Sequence, residues 1–439
     1  MRARLDGRDR EILRLAVPAL GALVAEPAFL LVDTALVGHL GAEQLAGVGI
    51  GTTVIGTVVG LLVFLAYGTT PAVARLLGAG DRPAAIRAGI DGVWLAVVVG
   101  AALLVALPLA RPVVAAFGAA PEVTEHAATY AGISILGLPA MLVVLAVTGL
   151  LRGLQDTRTP LLVAGAGFGA NAVLNAVLIY GLDLGIAGSA IGTVLAQWGM
   201  AAWLGAIALR EARREAVPLG LRLGSLGRTA STGGWLLVRT LSLRVGLVAT
   251  TVVAAQAGTA TLAATQVAFA IFSTLAFALD ALAIAGQAMV GRALGADDVA
   301  EARAVTRRLQ AWGIGFGVVV GVLLLALAWV AGRAFTADPE VLSALPVALA
   351  LLALAQPIAG FVFVLDGVLI GAGDVRYLAW TGILNVLVYL PLLLLALLPG
   401  VDALAVVWAA FSFGYLGARA TTLGLRARTG AWLRPGRAR

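Results

Sequence analysis

Long apolar runs separated by short polar segments dominate the chain. With prolines, glycines and charged residues marking the interruptions, the pattern predicts twelve membrane-spanning helices, each able to cross ~30 Å of hydrocarbon. Their approximate cores are 12–36, 46–74, 88–110, 125–151, 159–180, 186–209, 230–256, 262–291, 309–331, 341–370, 377–398 and 403–424. The predicted fold class is therefore an all-α polytopic membrane protein.

The arginines favour one end of these runs over the other. When Arg419 is counted with the C-terminal segment, 26 of the 30 arginines fall in the termini and in the loops after even-numbered spans. The opposite loops hold Arg111 and Arg333, and the remaining two, Arg239 and Arg244, lie inside span 7. Because basic loops stay in the cytoplasm, we expect both termini to be cytoplasmic in a multi-pass protein of the inner (plasma) membrane.

Composition excludes most other classes of protein. The chain is 61% hydrophobic and only 12% charged, whereas soluble domains carry about 25% charged residues. It has no cysteine, and its two histidines, His39 and His126, are not at ligand spacing, so we expect no metal site. The positive charge is spread over short loops, so no nucleic-acid partner is expected. Nucleotide-binding and hydrolase motifs are absent from the sequence, so we expect no enzyme activity and no cofactor.

The second half of the chain repeats the first in a nearly constant register. The matching pairs are "ARLLGAGD" (74–81) with "GRALGADD" (291–298), "FGAAPEV" (117–123) with "FTADPEV" (335–341), and "LRGLQDTR" (151–158) with "LIGAGDVR" (369–376). Each half holds six spans, an even number, so the halves insert in the same orientation as parallel repeats with a cavity between them. The predicted domains are an N-terminal six-helix lobe (1–209), a cytoplasmic linker (210–228) and a C-terminal six-helix lobe (229–439).

Two acids lie in the first span, "EPAFLLVDTALVGHLG". Acids inside a membrane are costly and normally face a cavity or a partner, and a buried carboxyl without a counter-charge takes up a proton. Asp33 is therefore the leading candidate for coupling transport to an ion, the alternative being that it meets water at the outer end of the span. Glu26 either acts as a second acid or hydrogen-bonds a neighbouring helix, and Pro27 is predicted to bend the helix.

Four further charged residues lie inside predicted spans of the second half. They are Arg239 and Arg244 in span 7, Asp280 in span 8 and Asp366 in span 10. The acids either neutralise the arginines or line a cavity, and the sequence leaves both interpretations open. Because the two arginines are five residues apart, they lie on different faces of a helix.

Polar side chains also interrupt spans 5 and 6. Asn171 and Asn175 are four residues apart in "GANAVLNAVLIYG" and share a helix face, and Thr193 follows in the next span. Amides and hydroxyls can hydrogen-bond a carboxyl group in either protonation state or hold a dehydrated Na⁺, but they also serve as interhelical contacts.

Several stretches resemble the multidrug and toxic compound extrusion (MATE) transporters, in particular their DinF-like branch. They are "EPAFLLVDTALVGHLGAEQLAGVGIG", "LRGLQDTRTP", "NAVLNAVLIYGLDLGIAGSAIGT", "LDALAIAGQAMVGRALG" and "FVLDGVLIGAGDVR". The resemblance implies a cation-coupled antiporter that exports cationic or amphipathic organic compounds by rocking-type alternating access. It places the coupling acid on Asp33 and the surrounding polar cluster, a possible Na⁺ site, on Asn171, Asn175 and Thr193.

The chain departs from the family pattern at one of these positions. Archaeal-type members carry a second aspartate where this chain has Asn175, so we expect H⁺ rather than Na⁺ as the coupling ion. In the register of the internal repeat, Asp33 aligns with Thr250, so the coupling acid belongs to one half only. The expected partners are small organic substrates and the lipid bilayer, and the expected state is a monomer.

Two other functions stay open at this point. A flippase for lipid-linked glycans, of a related fold, would use Arg239 and Arg244 to reach phosphate. A receptor or membrane scaffold would not require the internal duplication or the buried acids.

Overall fold

The computed structural model describes residues 7–336 and 338–436, and these residues form helices without a β-strand. Sixteen α-helices occur in this part of the chain: α1 (Gly7–Gly38), α2 (Ala42–Leu62), α3 (Phe64–Gly78), α4 (Arg82–Leu104), α5 (Ala110–Ala115), α6 (Pro121–Ile135), α7 (Leu138–Gly153), α8 (Arg158–Ala176), α9 (Gly185–Arg214), α10 (Leu223–Ala257), α11 (Thr259–Gly295), α12 (Val299–Ala331), α13 (Pro339–Gly371), α14 (Val375–Leu394), α15 (Ala403–Ala409) and α16 (Leu416–Thr429). Two π-helical segments, Val177–Gly181 and Ala410–Tyr415, continue α8 and join α15 to α16.

The predicted number of membrane spans is confirmed. Eleven helical segments among the described residues are long and apolar enough to cross a membrane, and α6 with α7 forms a twelfth that is bent by 49°. α2 and α3 together make the second span, Ala42–Gly78, and the last span runs from Ala403 to Thr429.

The helices form two compact units whose limits differ from the predicted domain bounds. One unit comprises residues 17–233, and the other comprises 234–436 together with 7–16. The first turns of α1 belong to the second unit because they form ion pairs with α12. Arg308 donates two hydrogen bonds of 2.6 Å to the Asp9 carboxylate, and Arg8 lies 2.7 Å from Glu301.

The connection between α9 and α10 is shorter than the predicted linker 210–228, since it spans only 215–222. Helix α9 continues through its arginine-rich end because Glu211 and Glu215 both pair with Arg82 of α4. The connection itself lies against α4, where Arg87 donates to the carbonyl oxygens of Pro218 and Gly220. Charged helix ends thus extend past the apolar core on which the prediction was based.

Equivalent helices form the centre of each unit. In the unit of residues 17–233, α7 packs against α3, α4 and α9, and in the other unit α13 packs against α11, α12 and α16. The α12–α13 pair approaches so closely that a Cβ atom on Gly313 would lie 2.7 Å from the carbonyl oxygen of Gly360. Small residues allow such backbone contact between membrane helices, where dispersion drives association.

The repeated sequence motifs form the same local structure in both halves. Gly80 and Asp297 both adopt positive φ values, 75° and 59°, at the turn after a helix. The next residue then caps the following helix, since Asp81 accepts from the backbone N–H of Ala84 and Asp298 from that of Glu301. The repeat therefore encodes a helix–turn–helix unit whose aspartate satisfies an otherwise unpaired backbone donor.

Candidate functional site

Asp33 lies buried on α1 and is held by neutral side chains. Its side chain is only 2% exposed, and its Oδ1 atom accepts hydrogen bonds from Asn175 Nδ2 at 2.6 Å and Ser189 Oγ at 3.0 Å. No cationic side chain in residues 7–336 and 338–436 forms an ion pair with it. A buried carboxylate without a counter-charge is stable only while its hydrogen bonds are kept or its charge is neutralised.

Close packing of α8 against α9 positions these donors. A Cβ atom on Gly192 would overlap Asn175 Oδ1, and one on Gly188 would lie 2.8 Å from the carbonyl carbon of Leu178. Only glycine at these two α9 positions leaves room for α8 at this distance. Just beyond Asn175, α8 widens into the π-helical segment Val177–Gly181, a feature frequent at functional sites.

The other predicted polar residues lie in the same cluster. Asn171 Nδ2 donates to Thr193 Oγ1 at 3.0 Å. The buried Tyr130 of α6 is near enough to interact electrostatically with Asp33 and to hydrogen-bond with Thr193. The side-chain oxygens of Asn171 and Asn175 are both buried and accept no hydrogen bond from any described residue. The structure thus brings together all four residues proposed for cation coupling and leaves two amide oxygens unused.

Sequence reasoning missed two members of this cluster, Ser189 and Tyr130. Ser189 lies four residues before Thr193 on α9, so helical spacing from the threonine was a signal that could have found it. Tyr130 belongs to α6, in the fourth span, and nothing in its local sequence connects it with Asp33.

Glu26 and Pro27 lie seven and six residues before Asp33 inside α1, which runs from Gly7 to Gly38. The side chain of Glu26 lies outside the described part of the structure. Pro27, like Pro18, lies inside α1 and has no backbone N–H to donate to the helix, so α1 lacks a hydrogen bond at each of these two positions.

The charged residues predicted in the second half pair with one another, but not all as expected. Arg239 makes a two-pronged contact with Asp366, with one hydrogen bond of 3.1 Å from Nε. A third partner, Arg419 of α16, lies 3.6 Å from the same carboxylate and interacts electrostatically with Asp280. Counting Arg419 with the C-terminal segment was wrong, because its side chain is 8% exposed within the last span.

Arg244 lies apart from this group. Its side chain is exposed, and it makes no ion pair with any residue in the described ranges. Arg239 is buried and Arg244 is exposed, and of the two only Arg239 is part of a charge pair among the described residues.

The second half places neutral hydroxyls where the first half has the acid. Thr250, the counterpart of Asp33 in the internal repeat, is fully buried, and its Oγ1 lies 2.6 Å from the hydroxyl of Tyr389. Tyr389 in turn is the counterpart of Asn171. Neither hydroxyl carries a charge near neutral pH, so only the first of these two equivalent positions holds a group that can be neutralised by a cation.

Asp33 is a buried acid whose partners are neutral groups that can donate or accept hydrogen bonds, and it lies in a duplicated bundle of membrane helices. This arrangement is typical of ion-coupled secondary transporters. Comparison with known proteins identifies the family. The MatE family model matches residues 18–177 and 237–395, one segment in each half of the chain. The chain therefore belongs to the MATE family of multidrug and toxic compound efflux transporters, and the resemblance noted from sequence is confirmed.

Two relatives support this assignment over two thirds of the chain or more, and a solved structure shares the fold. The chain is 31% identical to the chloroplastic protein DETOXIFICATION 44 of Arabidopsis thaliana over 96% of this chain and 83% of that protein. It is 32% identical to DNA damage-inducible protein F of Escherichia coli over 67% of this chain and 66% of that protein. Its fold matches that of the Vibrio cholerae MATE transporter VcmN with a TM-score of 0.87 at 22% identity, over 97% and 98% of the two chains.

Family membership decides between the functions that the sequence left open. MATE proteins are transporters of small organic compounds and not enzymes, so this chain is a multi-pass membrane transporter. The match favours export over the flipping of lipid-linked glycans, and the pairing of Arg239 with Asp366 leaves only Arg244 of the two arginines on which the flippase rested.

Proposed function

We propose that this protein exports organic compounds in exchange for protons, with Asp33 as the group that binds the proton. One observation carries the proposal: the buried Asp33 carboxylate is held by an amide and a hydroxyl and by no cation of the described residues. Asp366, by contrast, already lies between two arginines. Asp33 is therefore the acid whose charge is free to change during transport.

The two partners of Asp33 suit both of its protonation states. When the carboxylate is ionised, Asn175 and Ser189 donate to it. When it is protonated, its O–H needs an acceptor, and either the Ser189 oxygen or the amide oxygen of Asn175, after a rotation, can accept. The Asp33 side chain can thus gain and lose a proton and keep hydrogen-bond partners in both states.

Protonation would act on the position of α1. Asp33 connects α1 to α8 and α9 through charge-assisted hydrogen bonds, which are roughly twice as strong as neutral ones. Neutralising the acid weakens that connection, and Pro27, where the helix already lacks a hydrogen bond, lowers the cost of bending. We infer that proton entry bends α1 and releases substrate outward, within a rocking exchange of the two six-helix halves.

The arginine distribution supports a membrane orientation for this exchange. If the protein lies in the plasma membrane with both termini in the cytoplasm, its basic loops are cytoplasmic, as the positive-inside rule requires. The substrate would be a cationic or amphipathic organic compound, and the protein would act as a monomer without a cofactor.

Sodium is the second candidate for the coupling ion. The buried oxygens of Asn171 and Asn175 that accept no hydrogen bond from the described residues are ligands that hard cations prefer. In the present arrangement, however, Asn175 turns its nitrogen toward Asp33 and its oxygen toward Gly192. The amide would have to rotate before it could hold sodium beside Asp33.

Proteoliposomes that contain the purified protein and a fluorescent organic cation test the proposal. A pH gradient imposed without sodium is expected to drive movement of the dye, whereas a sodium gradient at clamped pH is expected to have no effect. Movement driven only by sodium would establish the second candidate instead. If neither gradient moved dye beyond the rate in empty liposomes, the export proposal would be wrong.

A further inference from the structure

A basic cleft lies between α12 and α16, within the unit of residues 7–16 and 234–436. The cavity has a volume of about 720 Å³, within the range of small-ligand sites. Arg303 and Arg307 line it from α12, Arg428 lines it from the end of α16, and Trp432 follows in the next segment. Phe361 and Leu425 add apolar surface.

The three arginines of this cleft are not neutralised. None of them forms an ion pair or a side-chain hydrogen bond with a residue in the described ranges, and no acid is among the residues that line the cavity. Their neighbours differ, since Arg308 pairs with Asp9 and Arg426 with Asp374. Three arginines close together, with no acid among them, repel one another. Binding of an anion would neutralise this charge.

The wall formed by the C-terminal segment is ordered. Gly430 ends α16 with φ of 66°, which turns the chain back over the helix end. Trp432 is 3% exposed, and its Nε1 donates to the carbonyl oxygen of Ala427 at 3.2 Å. The backbone N–H of Gly436 then donates to Leu294 O at 3.1 Å. This wall of the cleft is therefore held in place by the protein's own contacts.

The fold itself does not require a basic cleft at this position. In the unit of residues 17–233, the corresponding helices are α4 and α9, and there Arg82 is neutralised by Glu211 and Glu215. By contrast, α16 and the segment after it, to residue 436, contain neither aspartate nor glutamate. The unpaired charge is thus a property of one half of the duplicated structure.

An apolar stripe on α12 continues from the arginines. Ile314, Val318 and Leu325 are 38%, 47% and 47% exposed, and positions three full turns apart on a helix share a face. Ile314 and Val318 lie three turns after Arg303 and Arg307, and Leu325 lies three turns after Ile314. One face of α12 is thus basic at its start and apolar further along. This order matches a phospholipid, whose charged headgroup is followed by an apolar acyl chain.

We propose that this cleft binds the phosphate headgroup of an anionic phospholipid, with an acyl chain along the exposed apolar face of α12. Guanidinium groups bind phosphate oxygens in pairs, and basic pockets between membrane helices bind such headgroups. The apolar stripe favours a lipid over a soluble phosphate, because a free anion would gain nothing from it.

Native mass spectrometry of the full chain, purified in neutral detergent, tests this site. The protein is titrated with phosphatidylglycerol, with phosphatidylcholine of the same acyl chains, and with inorganic phosphate as a competitor. The cleft variant is R303Q/R307Q/R428Q. The matched control is R210Q/R213Q/R222Q, which removes the same charge from exposed arginines outside the cleft.

One phosphatidylglycerol is expected to bind more tightly than phosphatidylcholine. If each arginine contributes about a fivefold factor in affinity, the cleft variant should bind about a hundredfold more weakly, and the control variant should match the wild type. Equal binding by the cleft variant and the wild type, or equal losses in both variants, would overturn the site. Inorganic phosphate that displaces the lipid at the lipid's own concentration would identify a soluble-anion site instead. If the triple variant does not stay monodisperse, R428Q alone is expected to weaken binding about fivefold, and unchanged binding would overturn the proposal.

Discussion

Replacing Asp33 with asparagine removes the titratable group but keeps its shape. The amide oxygen of the new side chain can still accept hydrogen bonds from Asn175 and Ser189, which lie 2.6 and 3.0 Å from the present carboxylate oxygen. The variant therefore mimics the protonated acid permanently. Export that depends on a pH gradient is expected to fall to the level of empty liposomes, because no proton can be exchanged at this position.

The structure also limits the expected effect on stability. Two charge-assisted hydrogen bonds, each contributing about 1.5–3 kcal/mol, become neutral bonds that contribute about 0.5–1.5 kcal/mol. This loss is opposed by the desolvation penalty of a buried charge, several kcal/mol, which the variant no longer carries. The free energy of unfolding should change by no more than about 2 kcal/mol, which corresponds to a few degrees in Tm.

The assay compares D33N with D183N in proteoliposomes that contain a fluorescent organic cation. Asp183 is exposed and adopts φ of 54°, a conformation that asparagine tolerates, so D183N makes the same chemical change outside the buried cluster. D183N is expected to export like the wild type. Wild-type, gradient-dependent export by D33N would show that Asp33 does not carry the coupling proton.

Three other substitutions test neighbouring parts of the argument. In S189A, Asp33 keeps only the hydrogen bond from Asn175. The weakened connection between α1 and α9 should lower gradient-driven export and cost about 1.5–3 kcal/mol of stability. Export and thermal unfolding equal to those of the wild type would contradict the role of this hydrogen bond. G192A places a Cβ atom on the amide oxygen of the facing asparagine, so it should lower export and cost about 1–3 kcal/mol of stability. The control G199A lies on the same helix with open space around it and should be neutral or stabilising. Equal behaviour of the two variants would refute the packing argument. Replacing Asp366 with alanine leaves its two buried arginines without their shared partner and should cost about 3–5 kcal/mol of stability. The measurement is thermal unfolding in detergent. A loss of stability below about 1 kcal/mol would contradict the buried pair and mean that water reaches it.

The sequence by itself determined the membrane architecture. The span count follows from the lengths of apolar runs, and the internal repeat follows from the motifs around Asp81 and Asp298, which cap equivalent helices. These features are local, because a helix crosses the bilayer or begins at a cap according to residues that are adjacent in the chain. Asp33 was found for the same reason, since an acid in an apolar run is costly wherever that run packs.

Tertiary structure alone decided which side chains meet. Asn175 and Ser189 are 142 and 156 residues from Asp33 along the chain, and no periodicity within one helix shows that they contact the same oxygen. Arg419 looked like part of a basic terminus until the packing of α16 against α13 placed it beside Asp366. The physical reason is that hydropathy records how a residue partitions between water and lipid. Hydrogen bonds and ion pairs depend instead on the distance and orientation of the helices. Close contacts such as that at Gly192 set this geometry only after the chain has folded.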